Sequence, residues 1–183
     1  GDFSGSYYGL KSMTREAHRH LVNDNLLFKE PDRFVRAANG ANFWPIGRGV
    51  FHNRLRTILI WVNEQDHLRI ITQQKGGKLR EAFERMEQLM LELESKLKSK
   101  FARDDTYGYV NFSPSEVGTG LRASAQIKLP KLSKDKFALN ELCERYRLEV
   151  TPIAGARVDY MYDVANKRRF GLTESDAVFD LYR

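Results

Sequence analysis

Two apolar runs joined by a polar heptapeptide constrain this chain more than any other stretch. Thr57-Ile58-Leu59-Ile60-Trp61-Val62 is β-branched and aromatic enough to read as a buried strand, and Leu68 to Gln74 reads as a second. The heptapeptide Asn63-Glu64-Gln65-Asp66-His67-Leu68-Arg69 therefore lies at the turn between them. Two acids, a histidine and an arginine at one strand junction mark a site for chemistry as well as a turn.

Gly76-Gly77 stops the second strand, and a long helix follows. Its apolar residues Leu79, Ala82, Phe83, Met86, Leu89, Met90, Leu93 and Leu97 recur three or four apart, with charged residues on the other face, so it covers a core. A short helix is expected from the N-cap Thr14 to Asn23, another over about 134–146, and a last one, capped by Thr173, over 174–182. Strand-like runs recur at Tyr107–Phe112, Arg122–Leu129, Leu148–Val150 and Val158–Val164. Strands interleaved irregularly with helices predict an α+β fold, a mainly antiparallel β-sheet flanked by helices.

At 183 residues the chain is long enough for one core-bearing domain spanning 1–183. The opening Gly1-Asp2-Phe3-Ser4-Gly5 has no preceding element to pack on, and the last helix stops at Arg183. Both ends look cut, so the chain is expected to be a piece of a longer one. Its net charge of +6 suits a partner carrying phosphate, although a modestly basic surface with no ligand accounts for it equally well. A lone Cys143 excludes a disulfide within the chain and fits a reducing, cytoplasmic setting. No apolar run approaches the roughly 18 residues of a membrane span, and the opening residues do not read as a signal peptide.

Phosphoryl transfer needs cations around the phosphates, Mg²⁺ and an acceptor aligned with the γ-phosphorus. No Gly-x-x-x-x-Gly-Lys-[Ser/Thr] occurs, which excludes a P-loop. A cage of arginines is the alternative, because their planar forks match phosphate oxygens two at a time. Arg69 at the strand junction and Arg122 after Gly118-Thr119-Gly120 are the candidates. By residue type alone, an arginine beside a strand end more often serves a surface ion pair.

The run from Gly47 to Gln74 resembles the phosphagen kinases, the ATP:guanidino phosphotransferases that include arginine and creatine kinase. The resemblance continues through Leu26-Leu27-Phe28-Lys29-Glu30, Phe43-Trp44-Pro45, Lys75-Gly76-Gly77, Ser113 to Ser124, Ile127 to Leu132, Asn166-Lys167-Arg168-Arg169 and Gly171-Leu172-Thr173-Glu174. It covers almost the whole chain in the family's order. The implied fold is that family's C-terminal catalytic domain, of the glutamine-synthetase and guanidino-kinase type, without the small helical N-terminal domain. The implied substrate is ATP or ADP with Mg²⁺, gripped by Arg69, Arg122 and Ser124. Further phosphate-binding arginines come, in the family, from an upstream Ser-x-Arg-x-Arg segment.

The same alignment implies losses. Gln65 stands where the family has one of two carboxylates that hold the guanidinium acceptor. Ser113 replaces the reactive Cys of the Cys-Pro-[Ser/Thr]-Asn-[Leu/Val]-Gly-Thr motif, and a neutral hydroxyl does not supply a thiolate's charge. Family histidines near the nucleotide correspond to Asn25 and Gln126. Where arginine kinases resemble Arg-Gly-Thr-Arg-Gly-Glu, this chain has Thr151-Pro152-Ile153-Ala154-Gly155-Ala156. A phosphate-binding Arg thus becomes Thr151, the second carboxylate becomes Ala156, and Pro152 stiffens a loop expected to close over substrate.

Other constellations carry less. His18 and His20, two apart, cannot share a helix face and suggest no metal site. Nothing positions Ser113, His52 and Asp66 as a triad. The basic run Lys167-Arg168-Arg169 reads as a solvated turn or a contact for an acidic partner. Nucleic acid is disfavoured because aromatics do not interleave with the basic residues. Two expectations follow. One is a phosphagen kinase-like domain that has lost catalysis and serves as a binding or structural component, with weak or lost nucleotide binding and protein partners in a larger cytoplasmic, cytoskeletal or ciliary assembly. The other is an active phosphotransferase for a different guanidino acceptor, small molecule or protein arginine.

Overall fold

The two apolar runs form a β-hairpin, as their composition predicts. The computed structural model describes residues 3–153 and 160–182, which fall into two units, 1–98 and 99–183. The first unit runs β1 (Gly5–Gly9), α1 (Arg15–Asn23), α2 (Arg33–Ala37), β2 (Gly49–Asn53), β3 (Ile58–Val62), β4 (Leu68–Thr72) and α3 (Leu79–Leu97). Its strands make one antiparallel sheet in the order β1-β2-β3-β4.

Strand alternation divides the apolar residues of β3 between two faces. Leu59 and Trp61 join Val50, Leu26, Phe28 and Leu21 of α1 on one side. Ile58, Ile60 and Val62 meet Leu89 and Leu93 of α3 on the other. Both faces are covered, so β3 is apolar at consecutive positions. The buried Asn53 closes the turn before it, its Oδ1 accepting from the backbone N–H of Thr57 (2.8 Å) and Ile58 (3.0 Å). Arg48, also buried, shapes the loop ahead of β2: its guanidinium donates to the carbonyls of Gly40 (2.6 Å) and Ile46 (3.0 Å) and lies over the Trp44 ring.

The second unit runs β5 (Arg103–Asp104), β6 (Gly108–Tyr109), β7 (Ser124–Lys128), α4 (Lys136–Arg145), β8 (Leu148–Pro152), β9 (Met161–Asn166) and α5 (Glu174–Phe179). β5 pairs with β6, and an antiparallel sheet places β9 between β7 and β8. α4 packs against β8 and buries Leu139 and Cys143. The α+β class expected from the sequence is the fold observed.

Several expectations shift by local chemistry. The opening residues lead into β1, a strand the sequence does not signal, whose Tyr8 pairs with Val50 of β2. The run Tyr107–Phe112 pairs only at Gly108 and Tyr109, because Asp104 Oδ1 captures the N–H groups of Thr106 and Tyr107 in a turn and the Asn111 side chain donates to Glu116 O. Asp135 starts α4 two residues later than expected, accepting from Ala138 N–H. The Thr173 cap is as read and forms a reciprocal box with Asp176, but its helix ends at Phe179. Thr151 and Pro152, assigned to a closing loop, are the last residues of β8, opposite Asp163 and Tyr162.

Gly118 is required by two independent constraints. It holds φ +119°, and a Cβ there would lie 2.3 Å from the Arg169 carbonyl oxygen. Gly118→Ala is expected to cost at least about 3 kcal/mol, read as a fall in the denaturant midpoint with an unchanged slope.

Candidate functional site

In the first unit, Gln65 occupies the hairpin loop between β3 and β4. Much of that loop's polarity builds its own turn. Asn63 takes φ +55° and its N–H donates to His67 O (3.0 Å), while its side-chain amide donates to Gly47 O (2.8 Å) and its Oδ1 meets His67 Nδ1 (3.2 Å). The Gln65 N–H donates to Glu64 Oε2 (2.9 Å). Gln65 is half-buried and lines a cavity of about 220 Å³ with Lys29, Glu30, Asp32, Trp44 and Glu64. Arg69 on β4 stands opposite Trp61, its guanidinium carbon 5.5 Å from the ring centroid. No carboxylate pairs with Arg69 among the described residues.

Asn25 has a backbone reason to differ from a histidine. It follows the cap of α1 at φ +54°, where asparagine is tolerated better than most side chains. His52 stacks on Tyr8 at 5.5 Å and its Nδ1 meets Asn53 O (3.0 Å), so that nitrogen is engaged by backbone rather than by an acid. A more open groove of about 380 Å³ adjoins it, lined by Tyr8, Glu16, His20, Asp24 and Arg56 among others, with Arg56 and Asp24 paired at 2.8 Å. Among the described residues, no three His, Cys, Asp or Glu side chains gather as a metal site.

In the second unit, strand register decides which residues meet. Ser124 lies opposite Ala165 and Gln126 opposite Asp163 across β7–β9; Glu149 lies opposite Ala165 and Thr151 opposite Asp163 across β8–β9. Directly opposed residues share a face, so Ser124, Gln126, Glu149, Thr151 and Asp163 project together. Arg122, two residues ahead of Ser124, belongs to the same face. Its Nε donates to Glu149 Oε1 (3.0 Å) and its Nη2 to Asp163 Oδ2 (2.6 Å). Burial works against its charge, but the bonds and charges of Asp163 and then Glu149 outweigh that and hold its pKa above the ordinary value.

A fully buried amide fixes this arrangement. Asn166 Oδ1 accepts from Ala123 N–H (2.8 Å), and its Nδ2 donates to Leu121 O (3.2 Å) and Arg168 O (2.7 Å). The segment bearing Arg122 is thus tied to the end of β9. Arg169, itself buried, donates through Nη1 to Asn166 O and brings Nη2 within 3.6 Å of Glu149 Oε1.

The structure therefore gathers Arg122, Ser124, Gln126 and Thr151 on one face. Ser113 stands at the head of the 3-10 turn Pro114–Glu116, with its hydroxyl 2.8 Å from that of Ser115. Ala156 lies outside the described residues. Sequence reading passed over Glu149, Asp163 and Asn166; placing Glu149 and Thr151 at alternate positions of one strand would have put an acid beside the phosphate-binding candidates. Cys143 is buried, and desolvation, followed by the charge of Glu144, raises its thiol pKa, which disfavours the thiolate.

Asn166→Ala strands Ala123 N–H and two carbonyls. It is expected to lower stability by about 3 kcal/mol in chemical unfolding, and to abolish any anion binding that depends on Arg122 before the unit itself melts.

The family model for the ATP:guanido phosphotransferase C-terminal catalytic domain matches residues 1–183. The arginine kinase of Polybetes pythagoricus is 46% identical over 184 aligned positions, covering 99% of this chain and 51% of that protein. That of Limulus polyphemus is 44% identical over 98% of this chain, again 51% of the relative. Among solved structures, a lombricine kinase superposes with a TM-score of 0.92 at 34% identity, over 99% of this chain and 51% of that one. The duplicated taurocyamine kinase of Schistosoma mansoni with bound transition state analog components gives 0.90 at 41% identity, over 99% of this chain and 25% of that one. The chain spans about half the length of the arginine kinases it matches.

Proposed function

Because the chain belongs to the ATP:guanido phosphotransferase family, matching its C-terminal catalytic domain throughout, we propose that residues 1–183 act as one phosphagen kinase-type domain that receives a nucleotide on the Arg122–Ser124 face and does not transfer its phosphoryl group. The observation that carries this reading is the state of Arg122. Its fork is engaged by Glu149 and Asp163, on a face where Thr151 stands in place of a family arginine. A phosphate arriving there meets an Arg122 guanidinium already engaged by two carboxylates, one of them, Glu149, shared with Arg169. Arg69, stacked on Trp61 without an acidic partner among the described residues, is the better-prepared cation.

On the acceptor side the reacting charges are missing. Gln65 accepts a hydrogen bond but does not neutralise a guanidinium, and the Ser113 hydroxyl engages Ser115 rather than carrying charge. Each preorganised charge removed from such a site commonly lowers rate by roughly 10²–10³, and the losses do not simply add. The substrate under this reading is ATP or ADP with Mg²⁺, bound weakly. No helix among the described residues is long and apolar enough to cross a membrane. Cytoplasmic placement and protein partners in a larger assembly belong to the same proposal.

A second reading, an active kinase for another guanidino acceptor, draws on one feature. The cavity beside Gln65 is lined by Glu64 and Glu30, which offer negative charge to a cationic group.

Phosphoryl transfer by the full-length parent protein separates the two. With MgATP and free arginine, creatine, other guanidino compounds or arginyl peptides, turnover is expected below about 10⁻⁴ of that of an active family kinase in the same buffer. Gln65→Glu alone is expected not to restore it, because Ser113 and Thr151 remain. Turnover on any acceptor overturns the first reading and identifies the substrate.

A further inference from the structure

We propose that Glu149 is an internal anion that occupies the phosphate position of Arg122, so that this carboxylate limits how tightly the domain holds a nucleotide. The inference rests on the reading that nucleotide meets the Arg122–Ser124 face. Glu149 Oε1 receives Arg122 Nε at 3.0 Å and lies 3.6 Å from Arg169 Nη2, so two guanidinium groups converge on one carboxylate oxygen. Guanidinium forks recognise carboxylate and phosphate oxygens by the same planar geometry. Where a phosphate oxygen would be received, a side chain of the protein is already seated.

The carboxylate of Glu149 is the most exposed member of this cluster. The Arg169 side chain is only 8% exposed, its Nη1 is held by the Asn166 carbonyl, and its Nε is buried without a hydrogen-bond partner among the described residues. Arg122 is anchored through Asn166, which bonds the backbone on both sides of it. Asp163, on the central strand β9, backs Arg122 from a side chain 23% exposed. Glu149 is on the edge strand β8 and its side chain, 42% exposed, borders solvent. An anion that enters must displace it or bear its repulsion, whereas Asp163 alone leaves Arg122 one charge against one.

Calorimetric titration of MgADP into the full-length parent protein tests this, with Glu149→Gln, Arg122→Ala, the double variant, and Glu144→Gln. The last removes an equally negative surface carboxylate of α4 that contacts neither arginine and pairs with Lys167. Melting curves confirm that each variant is folded. Glu149→Gln is expected to tighten MgADP roughly tenfold, Glu144→Gln less than twofold and Arg122→Ala to weaken it; in the double variant the Glu149→Gln gain should vanish. If Arg122→Ala weakens binding while Glu149→Gln leaves it unchanged or weaker, the internal anion is refuted and the nucleotide face stands. An equal gain from Glu144→Gln reduces the effect to net charge and also refutes it. If Arg122→Ala changes nothing, or the wild type binds no MgADP, the nucleotide face itself fails, and this inference with it.

Discussion

The Asn166 carboxamide holds together everything argued for the second unit. It sits fully buried at the end of the central strand and satisfies Ala123 N–H, Leu121 O and Arg168 O at once. Those bonds join the segment carrying Arg122 to the Arg168–Arg169 turn, and Gly118 lets the two backbones approach closely enough. A buried amide left without partners is costly, so this cluster is specified as a whole or not at all. Asn53 has the same part in the first unit, closing the turn that sets β2 beside β3.

On that frame, the arginines and carboxylates set the local charge balance. Two arginines singled out as phosphate ligands end in opposite situations. Arg69 rests on an aromatic face with no acidic partner among the described residues, whereas Arg122 is tied to two carboxylates and reinforced by a second, buried arginine. As an implication of the family resemblance, the replacement of charged groups at Gln65, Ser113 and Thr151 is legible in the sequence. The engagement of Arg122 is not, because it arises from pairing between strands about 40 residues apart.

Local signals were the most readable ones. The β3–β4 hairpin, the Leu79–Leu97 helix and the Thr14 and Thr173 caps follow from periodicity and capping chemistry. β1 and β2 went unread because each is short and interrupted by glycine or polar residues, and pairing across the sheet, of β1 with β2 and of β2 with β3, makes them strands. Tyr107–Phe112 reads as a strand by composition, yet Asp104 accepts from Tyr107 N–H and the Asn111 side chain donates to Tyr109 O, drawing its backbone groups into turns. The polar density of Asn63–His67 was read as chemistry; a good part of it is the turn's own hydrogen bonding. The same residues satisfy the backbone and line the cavity at Gln65, so sequence alone does not separate the two uses.

The central claim is that nucleotide is received on the face of β7, β8 and β9 that carries Arg122 and Ser124. Arginine side-chain Nε–H and backbone amide NMR signals, followed while MgADP is titrated into the parent protein, report on it directly even when binding is weak. The account predicts that the Arg122 Nε–H and the Ser124 amide shift together along one saturating curve, with the Arg169 Nε–H following. Saturating shifts confined to other surfaces, with Arg122 and Ser124 unmoved, would contradict it.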